Sequence, residues 1–159
     1  MTRFAPDSRP GTYVLLFHLE RQAVIEAGSM GSLGLEAGWY AYVGSAFGPG
    51  GVAARCRHHR NISLRPHWHI DYLRVVAELR EIWFSHDPQH REHQWAELLS
   101  GSRGSSQPFP GFGSSDCQCV SHLFRFAPCP SFEGFRRRLR RALPGHAMVR
   151  RELLPINTI

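Results

Sequence analysis

The chain predicts an α+β domain with a small, mostly antiparallel sheet flanked by helices. Residues 12–19, 38–45 and 78–85 are rich in β-branched and aromatic side chains and read as strands. The segments after them carry apolar residues three or four apart, the spacing of a helix face. The length of 159 residues, with 42% hydrophobic and 20% charged, suits one core without staples.

Residues 1–10 are polar and Pro-containing and read as an arm, so the domain is taken as residues 11–145 and residues 146–159 as a tail. The strand at 12–19 is followed by Ala23-Val24-Ile25, which is expected to return beside it as a hairpin partner. The Gly-Ser stretch 28–34 breaks the pattern. In the strand at 38–45, Trp39, Ala41 and Val43 alternate with Tyr40, Tyr42 and Gly44, so two tyrosines share a face. A Gly-Pro turn then leads into a short helix at 52–60, where Arg55 and His59 lie one turn apart and present a cation and an imidazole to one spot. Residues 66–76 read as a helix with a Trp68, Tyr72, Val76 stripe. Pro88 is expected to open a further helix at 89–99. Residues 100–116 are Gly-, Ser- and Pro-rich and read as a long loop able to act as a lid. A last strand at 120–126 precedes a helix at 131–143, capped by Ser131, with Phe132, Phe135, Leu139 and Ala142 as its buried stripe.

All 19 basic residues are Arg. A P-loop lysine, a Schiff-base lysine and pyridoxal phosphate chemistry are therefore excluded. The net charge of +6 is concentrated at one end: from Arg125 to Arg151 there are eight Arg and one Glu, while the remainder carries eleven Arg against twelve acids. Such a block fits nucleic-acid phosphates, an anionic membrane surface or a solvated helix face. No apolar run approaches the ~18 residues of a membrane span, and the N-terminal apolar patch is too short for a signal peptide, so a cytoplasmic protein without membrane partners is expected. Cys56, Cys117, Cys119 and Cys129 are not spaced like a secreted disulfide framework, and reduced thiols are expected.

An Arg that grips phosphate bidentately, an imidazole beside it and tyrosine hydroxyls on a facing strand are what phosphodiester cleavage requires. Gly11-Thr12-Tyr13, Tyr42-Val43-Gly44 and the Arg55-x-x-x-His59 spacing, in that order, resemble the GIY-YIG nuclease superfamily. The longer strings YVGSAFGPGGVAARCRHH, HWHIDYL and GFGSSDCQCVSHLF look like its small Uri-type subfamily, also found attached to endonuclease III in some archaea. The resemblance covers roughly residues 11–126. It implies a GIY-YIG-type sheet, here enlarged by an inserted hairpin between Tyr13 and Tyr42 and by a C-terminal strand and basic helix.

The resemblance also implies one acid holding a single Mg²⁺ or Mn²⁺, supplied by a later helix. Glu92 is the choice, because its neighbours Trp95, Ala96 and Leu99 form the apolar stripe and turn it inward, where a carboxylate needs a cation or hydrogen bonds. Tyr13 is then the general base or water-positioning phenol, Tyr42 orients water or phosphate, and Arg55 clamps the phosphate with His59 beside it. Candidate substrate-binding residues are His67, His69, Asp71, Ser115, Asp116 and His122; His67 and Asp71 either face substrate or a second metal, or hydrogen-bond to each other. Cys117, Cys119, His122 and Cys129 have a zinc flavour without standard knuckle spacing, and zinc is not expected. Arg136, Arg137, Arg138, Arg140 and Arg141 are candidate nucleic-acid contacts. The expected function is metal-dependent endonucleolytic cleavage of DNA. The alternative is a DNA-binding accessory module of a repair enzyme that has lost turnover.

Overall fold

The computed structural model describes residues 5–114, 119 and 121–156. The architecture is α+β, with a six-stranded antiparallel sheet covered by helices on both faces. Its strands are β1 (Gly11–Leu19), β4 (Gly38–Ala46), β5 (Glu78–Ser85), β6 (Ser105–Ser106), β7 (Leu123–Phe126) and β8 (Arg150–Leu153), in the order β6-β7-β4-β1-β5-β8. A separate two-stranded ribbon is made by β2 (Ala23–Glu26) and β3 (Ser32–Leu35).

Strand β1 is central. Its edges are paired to β4 and β5, and eight of its nine residues are buried, which explains an almost unbroken apolar run where a half-exposed strand would alternate. Tyr13, Leu15 and Phe17 turn to one face with Tyr40 and Tyr42; Val14 and Leu16 turn to the other with Ala41, Val43 and Trp83. The first face is covered by the ribbon and by helices α1 (Gly51–Arg60) and α2 (His69–Val76), the second by α3 (Glu92–Ser100) and α4 (Phe132–Ala142).

Residues 23–25 do not return beside β1. They pair with Ser32–Leu35 across a 3-10 turn at Gly28–Met30, because both edges of β1 are already taken by two longer strands. The Gly-Ser stretch thus holds a turn and a strand. Helix α2 buries Ile70 and Leu73, whereas Trp68 and Tyr72 lie at its margin and Val76 is exposed, so the stripe facing the sheet is one residue removed from the expected one. Helix α3 starts at Glu92, three residues later than expected, since the buried Asp87 carboxylate accepts the Gln89 N–H at 2.9 Å where the chain bends at Pro88 and Gln89. Ser131 caps α4 by accepting from the Gly134 N–H, and Phe132, Phe135 and Leu139 are buried as expected, while Ala142 is exposed.

Residues 100–114 are not a free lid. They contain β6, and Phe112 is fully buried, its carbonyl accepting from His122 N–H. The arm caps α1: the Asp7 and Arg9 carbonyls accept from the Ala53 and Val52 N–H groups. Among the described residues beyond Gly145, Arg150–Leu153 form β8, which pairs with β5, and the buried Glu152 carboxylate accepts from the Arg60 guanidinium.

Glu152→Ala is expected to cost about 1–3 kcal/mol in urea unfolding, because it leaves a partly buried guanidinium unpaired. Replacing the pair together, Arg60→Met with Glu152→Leu, should recover most of that loss; recovery of nothing would mean the pair is not what anchors β8.

Candidate active site

The register of β1 against β4 places Tyr13 opposite Gly44 and Leu15 opposite Tyr42. A side chain at position 44 would run into the Tyr13 ring, its Cβ lying 2.3 Å from the ring carbon that bears the hydroxyl, so glycine at the end of Tyr42-Val43-Gly44 is what gives Tyr13 its place. Gly113 does the same for Tyr42: its φ of +68° favours glycine, and a Cβ there would lie 2.7 Å from the Tyr42 ring.

Tyr13, Tyr42, Arg55, His59, His69 and Glu92 meet around one cavity of about 290 Å³, with the exposed His67 at its mouth. Five elements or their ends contribute. The Tyr13 hydroxyl and His59 Nε2 are 2.9 Å apart, both residues buried. Burial, reinforced by the neighbouring His58, pushes the His59 imidazole down to about 3, so the ring is neutral and its Nε2 is able to accept a hydrogen bond from the Tyr13 hydroxyl. Burial also raises Tyr13 well above the ordinary phenol value, with Tyr42 and Cys56 adding to the rise and Arg55 opposing it. Tyr42 is raised by burial and by Glu92 against the pull of Arg55. An easily ionised Tyr13 is therefore not what this environment makes; it makes a neutral Tyr13–His59 pair.

The Arg55 guanidinium lies 4.5 Å from the centre of the Trp68 ring, and no carboxylate among the described residues forms an ion pair with it. Stacking on an aromatic face leaves the N–H edge of the fork free for an anion. Glu92 turns toward the interior as the first residue of α3, at the end of the apolar stripe and at the cavity wall. Its Oε1 is 2.7 Å from Nδ1 of the buried His122, and its side chain is 24% exposed. His122 thus joins the site as the partner of Glu92, an association between distant segments that no sequence spacing signals.

His67, His69 and Asp71 do not form one cluster. Asp71 is buried and satisfied: one oxygen accepts from the His67 and Trp68 N–H groups and the other contacts His58 Nε2 at 2.9 Å. Burial alone would raise its carboxyl, but these hydrogen bonds outweigh it and the net shift is downward. His69 Nδ1 accepts the Gly113 N–H at 3.0 Å, and burial lowers its imidazole. Reading the sequence alone misses His58, Trp68 and Gly113; the signal available is the aromatic-rich HWH string, whose Trp68 reads as part of a packing stripe.

Two groups of side chains could hold a cation. Nitrogen atoms of His58 and His59 and an oxygen of Asp71 lie within 4.8 Å of one another, but His58 and Asp71 are already bonded to each other and His59 Nε2 to Tyr13. Glu92 has one oxygen against His122 and the carboxylate lines the cavity. A hard cation that keeps several waters can be held by one such carboxylate.

Ser115, Asp116 and Cys117 lie outside the described residues. Of the remaining zinc candidates, Cys119 packs on the second core, His122 faces Glu92 and Cys129 sits near Glu81 and Arg151, so these three are not gathered in one place. Arg136, Arg137, Arg138, Arg140 and Arg141 are on α4, across the sheet from the cavity.

The model of the family described as a domain of unknown function, DUF123, matches residues 12–143, nearly the whole fold and all of the cavity. The chain belongs to the DUF123 family. No curated protein and no solved structure matches it. Within this DUF123 chain no helix is long and apolar enough to cross a membrane among the described residues.

Because the folded chain refuses a proton at His59 that the unfolded chain binds below its ordinary value of 6.5, stability should fall as pH drops from about 6.5 toward about 3. Thermal unfolding across that range is expected to show a shallower pH slope for His59→Gln than for the wild type. Equal slopes would mean that His59 is not held neutral by burial.

Proposed function

We propose that this DUF123 protein is a divalent-metal-dependent endonuclease that hydrolyses DNA phosphodiester bonds, and that its sheet and site are of GIY-YIG type. The observation that carries the reading is the convergence of Tyr13, Tyr42, Arg55, His59 and Glu92, which come from four separate elements, on one cavity. The sequence resemblance at Gly11-Thr12-Tyr13, Tyr42-Val43-Gly44 and Arg55-x-x-x-His59 adds independent support. On this reading the β2–β3 ribbon is the inserted hairpin that separates the two tyrosine motifs.

Arg55 binds the scissile phosphate through the N–H edge that Trp68 leaves free and stabilises the charge that develops there. Glu92, fixed by His122, would hold Mg²⁺ or Mn²⁺, which supplies positive charge against the phosphate and the leaving oxygen. Water attacks phosphorus in line while the P–O bond to the leaving oxygen breaks, and the leaving oxygen takes a proton from solvent. The attacking water gives its proton to Tyr13 Oη as the Tyr13 proton passes to His59 Nε2, 2.9 Å away. Coupling the two transfers avoids a free phenolate, the species that burial disfavours at Tyr13. Tyr42, kept protonated by its surroundings, donates a hydrogen bond to the phosphate or the water.

The same burial also favours a second reading, a module that binds DNA without cutting it, since a neutral His59 pushed down to about 3 is a weak final proton acceptor. Cleavage assays with Mg²⁺ or Mn²⁺ on labelled single-stranded, duplex and flap DNA separate the two. Wild type should cut at least one substrate, and Glu92→Gln, Arg55→Ala and Tyr13→Phe should each slow cutting by about 10²- to 10⁴-fold with the fold retained. Binding without cleavage on every substrate would establish the accessory module instead, and a Glu92→Gln protein that cuts at the wild-type rate would remove Glu92 from the metal role.

A further inference from the structure

Helix α4 carries five of the arginines, and they are not equivalent. Arg136 forms an ion pair with Glu133 at 2.9 Å and lies over the Phe132 ring. Arg138 folds back along the helix, its guanidinium donating to the Gly134 and Leu98 carbonyls, and so ties α4 to the end of α3. Arg137, Arg140 and Arg141 are exposed and make no hydrogen bond or ion pair among the described residues. They lie within one helical turn of one another, about 5–6 Å along the axis. A hollow of about 360 Å³ opens between Glu133, Arg136, Arg137 and Arg140.

The apolar side of this helix is fully used. Phe132, Phe135 and Leu139 are buried against Trp83, Trp95 and the sheet, and Ala142 is the one apolar side chain on α4 that turns outward. A helix that lies in a membrane surface inserts an apolar face, and α4 has none to give. What it offers is a row of planar guanidinium forks without a lysine among them, the side chain suited to phosphate oxygens. Tyr13 and Tyr42 of the cavity turn to the first core, whereas α4 packs on the second.

We infer that the outward face of α4, centred on Arg137, Arg140 and Arg141, is a docking surface for the sugar-phosphate backbone of nucleic acid, separate from the cavity and without sequence preference. The inference rests on the reading of the protein as acting on nucleic acid. It adds a second point of attachment: a segment of the polymer away from the one in the cavity is held on the opposite face of the sheet, so this face governs affinity and its salt dependence.

The test uses the whole 159-residue chain in excess chelator, which prevents cutting. Fluorescence anisotropy of a labelled mixed-sequence duplex is followed over a series of salt concentrations for wild type, for the triple variant Arg137→Gln/Arg140→Gln/Arg141→Gln, and for Arg21→Gln/Arg103→Gln, which removes exposed charge elsewhere. Vesicles of phosphatidylserine are assayed in parallel. The triple variant should reduce the slope of log affinity against log salt by about 2 to 3, because each phosphate that an arginine no longer neutralises lowers it by about 0.9, while the Arg21/Arg103 variant keeps the wild-type slope. Thermal unfolding should be the same for all three, because the substituted side chains are exposed. An unchanged slope in the triple variant, with wild type binding DNA in chelator and cutting it once Mg²⁺ or Mn²⁺ is supplied, overturns the docking surface and leaves the nuclease reading standing. A triple variant that loses vesicle binding but keeps duplex binding overturns it in favour of a lipid surface. No salt-sensitive binding of wild type to DNA overturns both readings together.

Discussion

Strand β1 has both edges hydrogen-bonded and both faces covered, so none of its side chains except His18 has solvent to turn to. Tyr13 is the strand's one tyrosine, and a buried phenol must find a partner for its hydroxyl. The partner is His59, reached across the space that Gly44 leaves open. From this single contact the rest follows in order. It orients the helix that carries His59, and the same helix one turn earlier carries Arg55; Arg55 in turn lies on Trp68, whose N–H is held by Asp71. A strand that could not expose its polar group has organised two helices around it.

The electrostatics of the cavity come from the same constraint. Burial favours the neutral forms of Tyr13 and His59, and it places a cation, Arg55, and an anion, Glu92, as the walls of one cavity without letting them neutralise each other in an ion pair. Separated opposite charges facing a small polar cavity are costly unless something between them uses both. Under the proposed function a phosphate with its counter-cation would do so, the phosphate on the guanidinium and the cation on the carboxylate. Asp71, by contrast, accepts three hydrogen bonds and serves the architecture rather than the chemistry.

Much of the fold was legible because its signals are local. The three long strands, the short Arg55–His59 helix and the capped C-terminal helix rest on periodicity, Gly-Pro turns and a Ser131 cap, all read within ten or so residues. Which strands pair is not local. Residues 23–25 have strand chemistry, but their exclusion from the edge of β1 depends on β5, some fifty residues later, having claimed it. The later start of α3 depends on Asp87, whose carboxylate is held by the Ala147 N–H from the far end of the chain. At the site, residues spaced by a helical turn were found together as expected, whereas His122 with Glu92 and Gly113 with His69 are pairs that only the closed sheet brings together.

The position of Glu92 shows how far such long-range control extends. Glu92 belongs to a helix that packs on the second face, yet its carboxylate serves a cavity on the first, so where that helix begins decides whether the acid reaches the cavity at all. Its start is fixed by a buried polar network. Asp87 accepts from the Gln89 and Ala147 N–H groups and contacts Arg91, while the Trp95 indole N–H donates to His146 Nε2 at 3.0 Å. His146 and Ala147 follow α4, in what the sequence alone presents as a tail. The last stretch of chain therefore does more than close the sheet. By holding Asp87 and Trp95 it sets the first turn of α3, and through that turn it sets the depth of the one carboxylate that lines the cavity among the described residues.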